Sequence, residues 1–298
     1  MFNGAFSPII QTPHLITKVD KLFEQLNNPL IFAGGTHIMR CVMDYPNVLI
    51  PEIIDIKNVS GLDKFVQTEK YIEIGAVNTI QRVKELGDSF FPSVLKASLS
   101  QGAPEIVKRK ATIGGAIAVN GVYYNLVAAL VHLGAMIEIH YYTGKETVQR
   151  TIPLSTLYDS KAPRLLMKGL ITKVILPQQN EMNSNKYSYY REVGSPVEDP
   201  SKSFVFVGSY EIEGISNLAI DATVLFSDIG FYKLSDKNQV FRIPQISSFS
   251  EIKFLGESYR RNIEEKFSTY KRKPDKLRVD KCIRVFEDFL LAVNERLT

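Results

Sequence analysis

Cysteine is scarce in this chain of 298 residues, which contains only Cys41 and Cys282. A disulfide framework, a structural zinc site and an intrinsic iron–sulfur cluster all need more cysteine or cysteine–histidine ligands than this. The sequence therefore predicts a protein with no metal site of its own.

Long apolar runs and a strong charge excess are also missing. The longest apolar stretch, residues 126–142, is interrupted by His132, Glu138 and His140, so we expect no membrane-spanning helix. The N-terminus lacks the basic and apolar regions of a signal peptide, which predicts a cytoplasmic protein. The net charge of +4 is mild for this length and argues against a dedicated nucleic-acid-binding protein.

The length of 298 residues exceeds the size at which a single hydrophobic core stops growing, so two or three domains are expected. The best linker candidate is the polar segment 177–185, which has no apolar periodicity. We therefore predict a first domain of residues 1–177, with subdomains 1–57 and 58–177, and a second domain of residues 186–298.

Hydrophobic patterning predicts the elements of both domains. Apolar runs and alternation predict strands at residues 30–33, 48–50, 53–56, 71–76, 136–142, 147–152, 170–176, 204–213, 218–226 and 231–234. Helical periodicity predicts helices at residues 19–26, 79–85, 92–100, 126–133, 257–270 and 278–296. The predicted fold class is α+β, with mixed β-sheets first and then a smaller domain of antiparallel strands followed by helices.

Two glycine turns, Ala33-Gly34-Gly35-Thr36 and Thr112-Ile113-Gly114-Gly115, are the most informative feature of the sequence. Each offers backbone amides beside a threonine hydroxyl, and glycine allows a ligand to approach the main chain closely. Consecutive amides in such turns form a concavity that suits an anion. Together, the two turns could hold opposite sides of a pyrophosphate. The alternative for each turn is an ordinary strand-to-helix connection.

Two common phosphate-binding sequence motifs do not fit these turns. The Rossmann fingerprint needs three spaced glycines and a downstream acidic residue, and the Walker A loop needs a Gly-Lys-Ser/Thr sequence. Neither pattern is present at the two turns. A pyrophosphate would therefore be bound in another way.

The two turns and their surroundings resemble the FAD loops of the flavoprotein subunit of molybdenum hydroxylases, the family that includes the xanthine dehydrogenases and the medium subunit of carbon monoxide dehydrogenase. The resemblance covers nearly the whole chain. It is carried by Leu30-Ile31-Phe32-Ala33-Gly34-Gly35-Thr36-His37, by Lys110-Ala111-Thr112-Ile113-Gly114-Gly115, by Leu130-Val131-His132-Leu133-Gly134-Ala135 and by Arg191-Glu192-Val193-Gly194.

The resemblance implies a two-lobed FAD-binding domain followed by a smaller C-terminal domain. It implies non-covalent FAD whose pyrophosphate is held by both turns, with Asn125 and Arg191 at positions that contact the cofactor or lie near the flavin ring. The residues implied to bind FAD are Ala33, Gly34, Gly35, Thr36, His37, Ile38, Thr112, Gly114, Gly115, Asn125 and Arg191. No residue is assigned a catalytic role.

The same resemblance implies an oxidoreductase subunit that works with two partners, an iron–sulfur small subunit and a molybdopterin large subunit. Electrons would pass from the iron–sulfur clusters to FAD and then to NAD+ or another acceptor. The redox chemistry belongs to the flavin, while the protein holds the ring and sets its potential. Nucleic acid and membrane are not expected as partners.

Several positions depart from the pattern of the family. Ala116 replaces the usual asparagine after the second Gly-Gly, Gly121-Val122 replaces a Ser-Pro step, and Tyr123 and Tyr124 follow it. Asn125 stands where an aspartate is usual and is equally well explained as a helix N-cap. Two alternatives therefore stay open. One is a flavin-free scaffold or assembly subunit with the same fold, and the other is a standalone FAD-dependent reductase.

Histidines and basic clusters complete the candidate residues. We expect His132 to be a hydrogen-bonded core residue of its apolar helix, and His37 to contact a phosphate or to lie in solvent. The cluster Lys108-Arg109-Lys110 precedes the second turn, where it could attract an anionic cofactor. Arg260-Arg261 and Lys271-Arg272-Lys273 could dock partner subunits or simply be solvated surface.

Overall fold

The computed structural model describes residues 9–40, 52–119, 125–158, 169–178, 186–195, 199, 201–213, 217–226, 230–235, 240–242, 248–269 and 275–297. The chain divides into two compact units. The first comprises residues 1–89, 103–120 and 133–178, and the second residues 90–102, 121–132 and 179–298. Several features of the sequence analysis lie outside the described residues, namely Cys41, the strand predicted at 48–50, Gly121, Val122, Tyr123, Tyr124, residues 179–185 and Lys271-Arg272-Lys273.

The helices and strands follow one another in a mixed order. They are β1 (Ile9–Gln11), α1 (Ile16–Gln25), β2 (Leu30–Phe32), α2 (Thr36–Arg40), β3 (Glu52–Asp55), β4 (Phe65–Gln67), β5 (Tyr71–Gly75), α3 (Ile80–Gly87), α4 (Ser93–Ser100), α5 (Glu105–Lys108), α6 (Ile113–Ala118), α7 (Leu126–His132), β6 (Met136–Tyr142), β7 (Thr147–Pro153), a 3₁₀ helix (Leu154–Tyr158), β8 (Gly169–Pro177), β9 (Lys186–Val193), β10 (Phe204–Glu213), β11 (Asn217–Phe226), β12 (Gly230–Ser235), β13 (Val240–Arg242), α8 (Phe249–Thr269) and α9 (Lys276–Leu297).

The first unit contains two sheets. One is parallel, with the order β1-β3-β2, and the other has five antiparallel strands in the order β4-β5-β8-β6-β7. Helix α1 contacts β6, and its Val19 and Phe23 lie in a buried cluster with Ile54 of β3 and Leu170 of β8. A common core therefore joins the parallel sheet to the antiparallel one within this unit.

An ion-pair network spans three neighbouring strands of the antiparallel sheet. Lys173 of β8 lies 3.0 Å from Glu73 Oε1 and 3.5 Å from Glu138 Oε2, and the Thr172 hydroxyl donates to Glu138 Oε1 at 2.6 Å. Desolvation raises the pKa of Glu138, but hydrogen bonds from Thr172 and Gln149 and the charge of Lys173 outweigh it and lower the pKa overall. Ionised Glu138 therefore stabilises the folded sheet.

The second unit is a sheet with helices on both faces. Its strand order is β12-β11-β10-β9, and β13 pairs with the opposite end of β11. Phe204 and Phe206 pack with α9, whereas the alternating Val205 and Val207 are also buried, and α7 contacts β10. Burial of both faces explains the continuous apolar run that begins β10.

Aromatic rings fill the core between this sheet and the two long helices. Phe289 of α9 lies 5.5 Å from Phe206, 5.7 Å from Tyr189 and 6.4 Å from Tyr210, measured between ring centroids. Gly208 of β10 lies beneath the same ring, since a Cβ atom there would be 3.0 Å from Phe289. The mixed sheets and helices of the two units confirm the predicted α+β class.

Within the part of the chain that the structure describes, none of the helices combines the length and apolarity needed to cross a bilayer.

The Glu138 network predicts how stability depends on pH. Because the folded-state pKa of Glu138 lies below its ordinary value of 4.5, its contribution is present above that pH and is lost as the pH falls through the folded value. The free energy of unfolding, measured with urea, should therefore fall more steeply on acidification for the wild type than for Glu138→Gln. In that variant the amide oxygen can still accept from Thr172. Identical pH profiles for the two proteins would contradict this role.

The burial of Phe289 predicts that truncating it costs much more stability than truncating an exposed phenylalanine of the same unit. Phe289→Ala removes a ring that is 1% exposed and leaves a cavity, so we expect a loss of about 3–5 kcal/mol in the free energy of unfolding. Phe254→Ala is the matched control, because Phe254 is 72% exposed and its truncation should change stability by less than about 0.5 kcal/mol. Urea denaturation of both variants gives the comparison, and equal losses would refute it.

Candidate functional site

The first glycine turn connects a parallel strand to a short helix. Strand β2 ends at Phe32, α2 begins at Thr36, and Gly35 has a φ of +69°. A Cβ atom on Gly35 would lie 2.6 Å from Cζ of the Phe32 ring. Glycine is therefore required here both by the backbone conformation and by the ring packed against it.

Backbone donors remain at this first turn. The earliest backbone hydrogen bond of α2 runs from the Met39 amide to the Gly35 carbonyl at 2.9 Å. Among the hydrogen bonds of the described residues, none has the amide of Gly34, Gly35 or Ile38 as its donor. Thr36 and His37 lie in the same turn, are half-buried and make further interactions. The turn thus presents amide donors suited to an anion.

Backbone amides of the second glycine turn are hydrogen-bonded within the protein. Thr112 is the N-cap of α6, and its hydroxyl accepts from the Gly115 amide at 3.1 Å. The Gly114 amide donates to the Ala76 carbonyl, and the Ile113 amide to the Asn78 carbonyl, both at 2.9 Å. The amides of Gly114 and Gly115 are therefore used within the protein, whereas the sequence analysis expected them to be bare.

Gly114 has a packing role that the sequence did not reveal. A Cβ atom at this position would lie 2.7 Å from the Cβ and 2.9 Å from the carbonyl oxygen of Ala76. The missing side chain thus allows α6 to lie directly against the segment that follows β5. Asn78 in that segment is 2% exposed, and its Nδ2 donates to the Gly75 carbonyl at 2.9 Å. This segment fixes the position of the second turn.

The two turns lie in direct backbone contact within the first unit. A Cβ atom on Gly34 would lie 1.9 Å from the carbonyl oxygen of Lys110 and 3.2 Å from Cα of Ala111. Only a residue without a side chain allows this approach. The structure therefore brings together two segments that are far apart in sequence. That they hold opposite sides of one pyrophosphate stays a prediction.

Cations lie near both turns. The Lys57 ammonium lies 4.6 Å from the centroid of the Phe32 ring, which packs against Gly35. Beside the second turn, Arg109 and Lys110 are exposed, whereas Lys108 is 2% exposed and lies 3.5 Å from Glu105. The exposed cations favour an anionic ligand at this part of the unit.

Asn125 and Arg191 belong to the second unit, whereas the two turns belong to the first. Asn125 directly precedes α7, is 5% exposed, and its carbonyl accepts from the Ala128 amide at 3.1 Å. Arg191 is an exposed residue of β9, paired with Phe206. A contact of either residue with a cofactor stays a prediction.

Sequence reasoning missed two neighbours of Asn125. Gly102 has a φ of +86°, and a Cβ atom there would lie 3.6 Å from Asn125 Nδ2 and 4.0 Å from Glu192 Oε2. The glycine after α4 is the one signal that could have indicated a close approach. The side chains of Asn125 and Glu192 thus both lie close to Gly102 in the second unit.

Two other candidates have structural partners. His132 Nε2 lies 3.0 Å from the Ser209 hydroxyl, which agrees with the expected hydrogen-bonded core histidine. Arg260 forms ion pairs with Glu257 and Asp280, so its charge is compensated within the unit. Among the described residues, histidine, cysteine and carboxylate side chains nowhere form a group of three or more that could hold a metal ion.

Comparison with known proteins identifies a family for the first part of the chain. Residues 5–179 match the family model described as the FAD binding domain in molybdopterin dehydrogenase, and both turns lie inside this match. No curated protein matches the sequence.

Solved structures share the fold over nearly the whole chain. Quinoline 2-oxidoreductase from Pseudomonas putida 86 is 15% identical, with a TM-score of 0.72 and coverage of 98% of both chains. The carbon monoxide dehydrogenase from Hydrogenophaga pseudoflava that lacks the Mo-pyranopterin moiety is 13% identical, with a TM-score of 0.70 and coverage of 95% of this chain and 94% of that one. Reconstituted carbon monoxide dehydrogenase from Oligotropha carboxidovorans is 14% identical, with a TM-score of 0.69 and coverage of 97% of each chain.

These identities are low, so the structural likeness shows the fold, and the family rests on the sequence model. That model extends over more than half of the chain and includes both glycine turns. The protein accordingly belongs to the family of FAD-binding domains of molybdopterin dehydrogenases.

Proposed function

We propose that this chain is the FAD-binding, electron-transfer subunit of a molybdenum hydroxylase-type oxidoreductase. It would receive electrons from iron–sulfur clusters on a partner and pass them to NAD+ or another acceptor. The observation that carries this proposal is the backbone contact between Gly34 and Lys110, which brings the two glycine turns together inside the matched FAD-binding domain. Bound FAD supplies the redox chemistry, and the chain supplies its binding and orientation.

The first turn is suited to hold the diphosphate. The amides of Gly34, Gly35 and Ile38 supply backbone donors, while a contribution of the Thr36 hydroxyl stays a prediction. The roles of Ala33 and His37 in this turn stay predictions. A dianionic group can thus be bound by the main chain, with no lysine buried against it.

The second turn contributes through its threonine. The Thr112 hydroxyl accepts from the Gly115 amide, so its own proton remains a potential donor to a ligand. The amides of Gly114 and Gly115 keep α6 in place through Ala76 and Thr112. We therefore assign the second turn a supporting role, in which Thr112 contacts the cofactor and the glycines allow close packing.

The proposed partners are an iron–sulfur small subunit and a molybdopterin large subunit. The two cysteines of the sequence are too few to ligate an iron–sulfur cluster. The similar carbon monoxide dehydrogenases are described as molybdenum enzymes, which supports molybdenum on another chain of the complex. The NAD+ acceptor, a xanthine dehydrogenase-like activity, the cytoplasmic location and the domain limits 1–177 and 186–298 all stay predictions.

Purified protein should carry or accept FAD. We expect a yellow preparation that releases FAD on denaturation, and an apoprotein whose thermal midpoint rises with added FAD. FAD at 100 times its dissociation constant should stabilise the folded state by about 2.7 kcal/mol. A colourless protein that FAD does not stabilise would overturn the proposal and favour the flavin-free scaffold. Purification as a complex with a cysteine-rich small subunit would argue against a standalone reductase.

Gly34→Ala tests the contact between the two turns. The added Cβ would lie 1.9 Å from the Lys110 carbonyl oxygen, so the turns must separate. We expect FAD to bind at least about tenfold more weakly, a loss of about 1.4 kcal/mol, in fluorescence titrations of protein whose fold is verified by circular dichroism.

Gly61→Ala is the matched control in the same unit. No atom lies within 4 Å of a Cβ atom at Gly61, although its φ of +90° costs stability in any other residue. This variant should lose about 1 kcal/mol of stability and keep its affinity for FAD. Unchanged FAD affinity in Gly34→Ala would contradict the role of the contact.

A further inference from the structure

Lys57 lies beside the first turn without belonging to either FAD loop. Its ammonium lies 4.6 Å from the centroid of the Phe32 ring, and that ring reaches within 2.6 Å of the position of a Cβ atom on Gly35. Because both separations are short, the ammonium lies within about one Debye length, roughly 8 Å at physiological salt, of the turn that offers amide donors. The positive charge of Lys57 therefore acts on a ligand bound at the first turn.

The Phe32 ring restricts where this charge can move. A lysine ammonium over an aromatic face is attracted by the ring quadrupole, at about 0.5–1 kcal/mol for an exposed site. Phe32 is itself fixed, since its strand pairs with β3 and its ring packs against Gly35. Lys57 is exposed, so the ammonium stays solvated while the ring holds it close to the turn.

Asp55 brings a negative charge to the strand that pairs with β2. Asp55 is paired with Phe32 in the parallel sheet, and its Oδ1 accepts from the backbone amide of Lys57 at 3.0 Å. An ionised Asp55 would repel an anionic ligand at the first turn. A cation on the same segment acts in the opposite sense on such a ligand.

We propose that Lys57 is a positioning residue for cofactor affinity, whose ammonium, held over Phe32, favours the diphosphate at the first turn. This inference rests on the proposed FAD-binding function. It assigns a role to a residue outside both glycine motifs. Lys108 does not share that role, because it is buried and paired with Glu105.

The test compares FAD affinities of the full chain at low and high salt. Lys57→Gln removes the charge, and Lys57→Arg keeps both the charge and the contact with the ring. Lys145→Gln is the matched control, since Lys145 is an exposed lysine of the same unit in the β6–β7 turn. FAD binding is followed by flavin fluorescence at about 20 mM and about 500 mM salt, which changes the Debye length from roughly 20 Å to roughly 4 Å.

The expected result is specific to a charge effect. Lys57→Gln should bind FAD about three- to tenfold more weakly at low salt and almost normally at high salt, whereas Lys57→Arg and Lys145→Gln should match the wild type. Equal affinities of Lys57→Gln and the wild type at low salt would overturn the inference. A loss that persists unchanged at high salt would also overturn it, since it would indicate damage to the turn. Absence of FAD binding by the wild type would instead refute the proposed function.

Discussion

The approach of Gly34 to the Lys110 carbonyl is the constraint on which the first unit depends. It joins the turn after β2, in the parallel sheet, to the turn before α6, a helix that contacts β8 of the antiparallel sheet. Neither sheet alone could form the site. A Cβ atom at Gly34 would lie 1.9 Å from that carbonyl oxygen, far inside van der Waals contact. The glycine is therefore needed for a backbone-to-backbone contact, before any question of ligand binding arises.

The two turns consequently have different tasks. The second turn uses its amides internally, on Ala76, Asn78 and Thr112, and so becomes a rigid support. The first turn keeps amides available and lies beside the cation of Lys57. A preorganised support beside a set of unused donors lowers the cost of ordering the protein when an anionic cofactor binds.

Much of the fold could be predicted from local patterns. The predicted strands at 136–142 and 204–213 have the bounds of β6 and β10, because apolar runs mark buried strands clearly. Helix α8 begins at Phe249, earlier than the predicted start at residue 257. A capping box explains this, since the Glu251 amide donates to the Ser248 hydroxyl and Glu251 Oε2 accepts from the Ser248 amide. That signal was present in the sequence and was missed.

Other features depend on residues distant in sequence and could not be predicted. The sequence predicts the strand at 170–176 but not its place: β8 lies in the centre of its sheet between β5 and β6, because strand order is set by packing and not by local composition. Helix α6 was missed because its two glycines argue against a helix. The engaged amides of Gly114 and Gly115 likewise need acceptors at Ala76 and Thr112 that no spacing rule indicates.

A structure of the protein with bound FAD tests the central claim most directly, since it locates the diphosphate relative to both turns. We expect phosphate oxygens about 3 Å from the amides of Gly34 and Gly35, with the contact between Gly34 and the Lys110 carbonyl preserved. A diphosphate bound away from the first turn, or turns that separate when FAD binds, would contradict it.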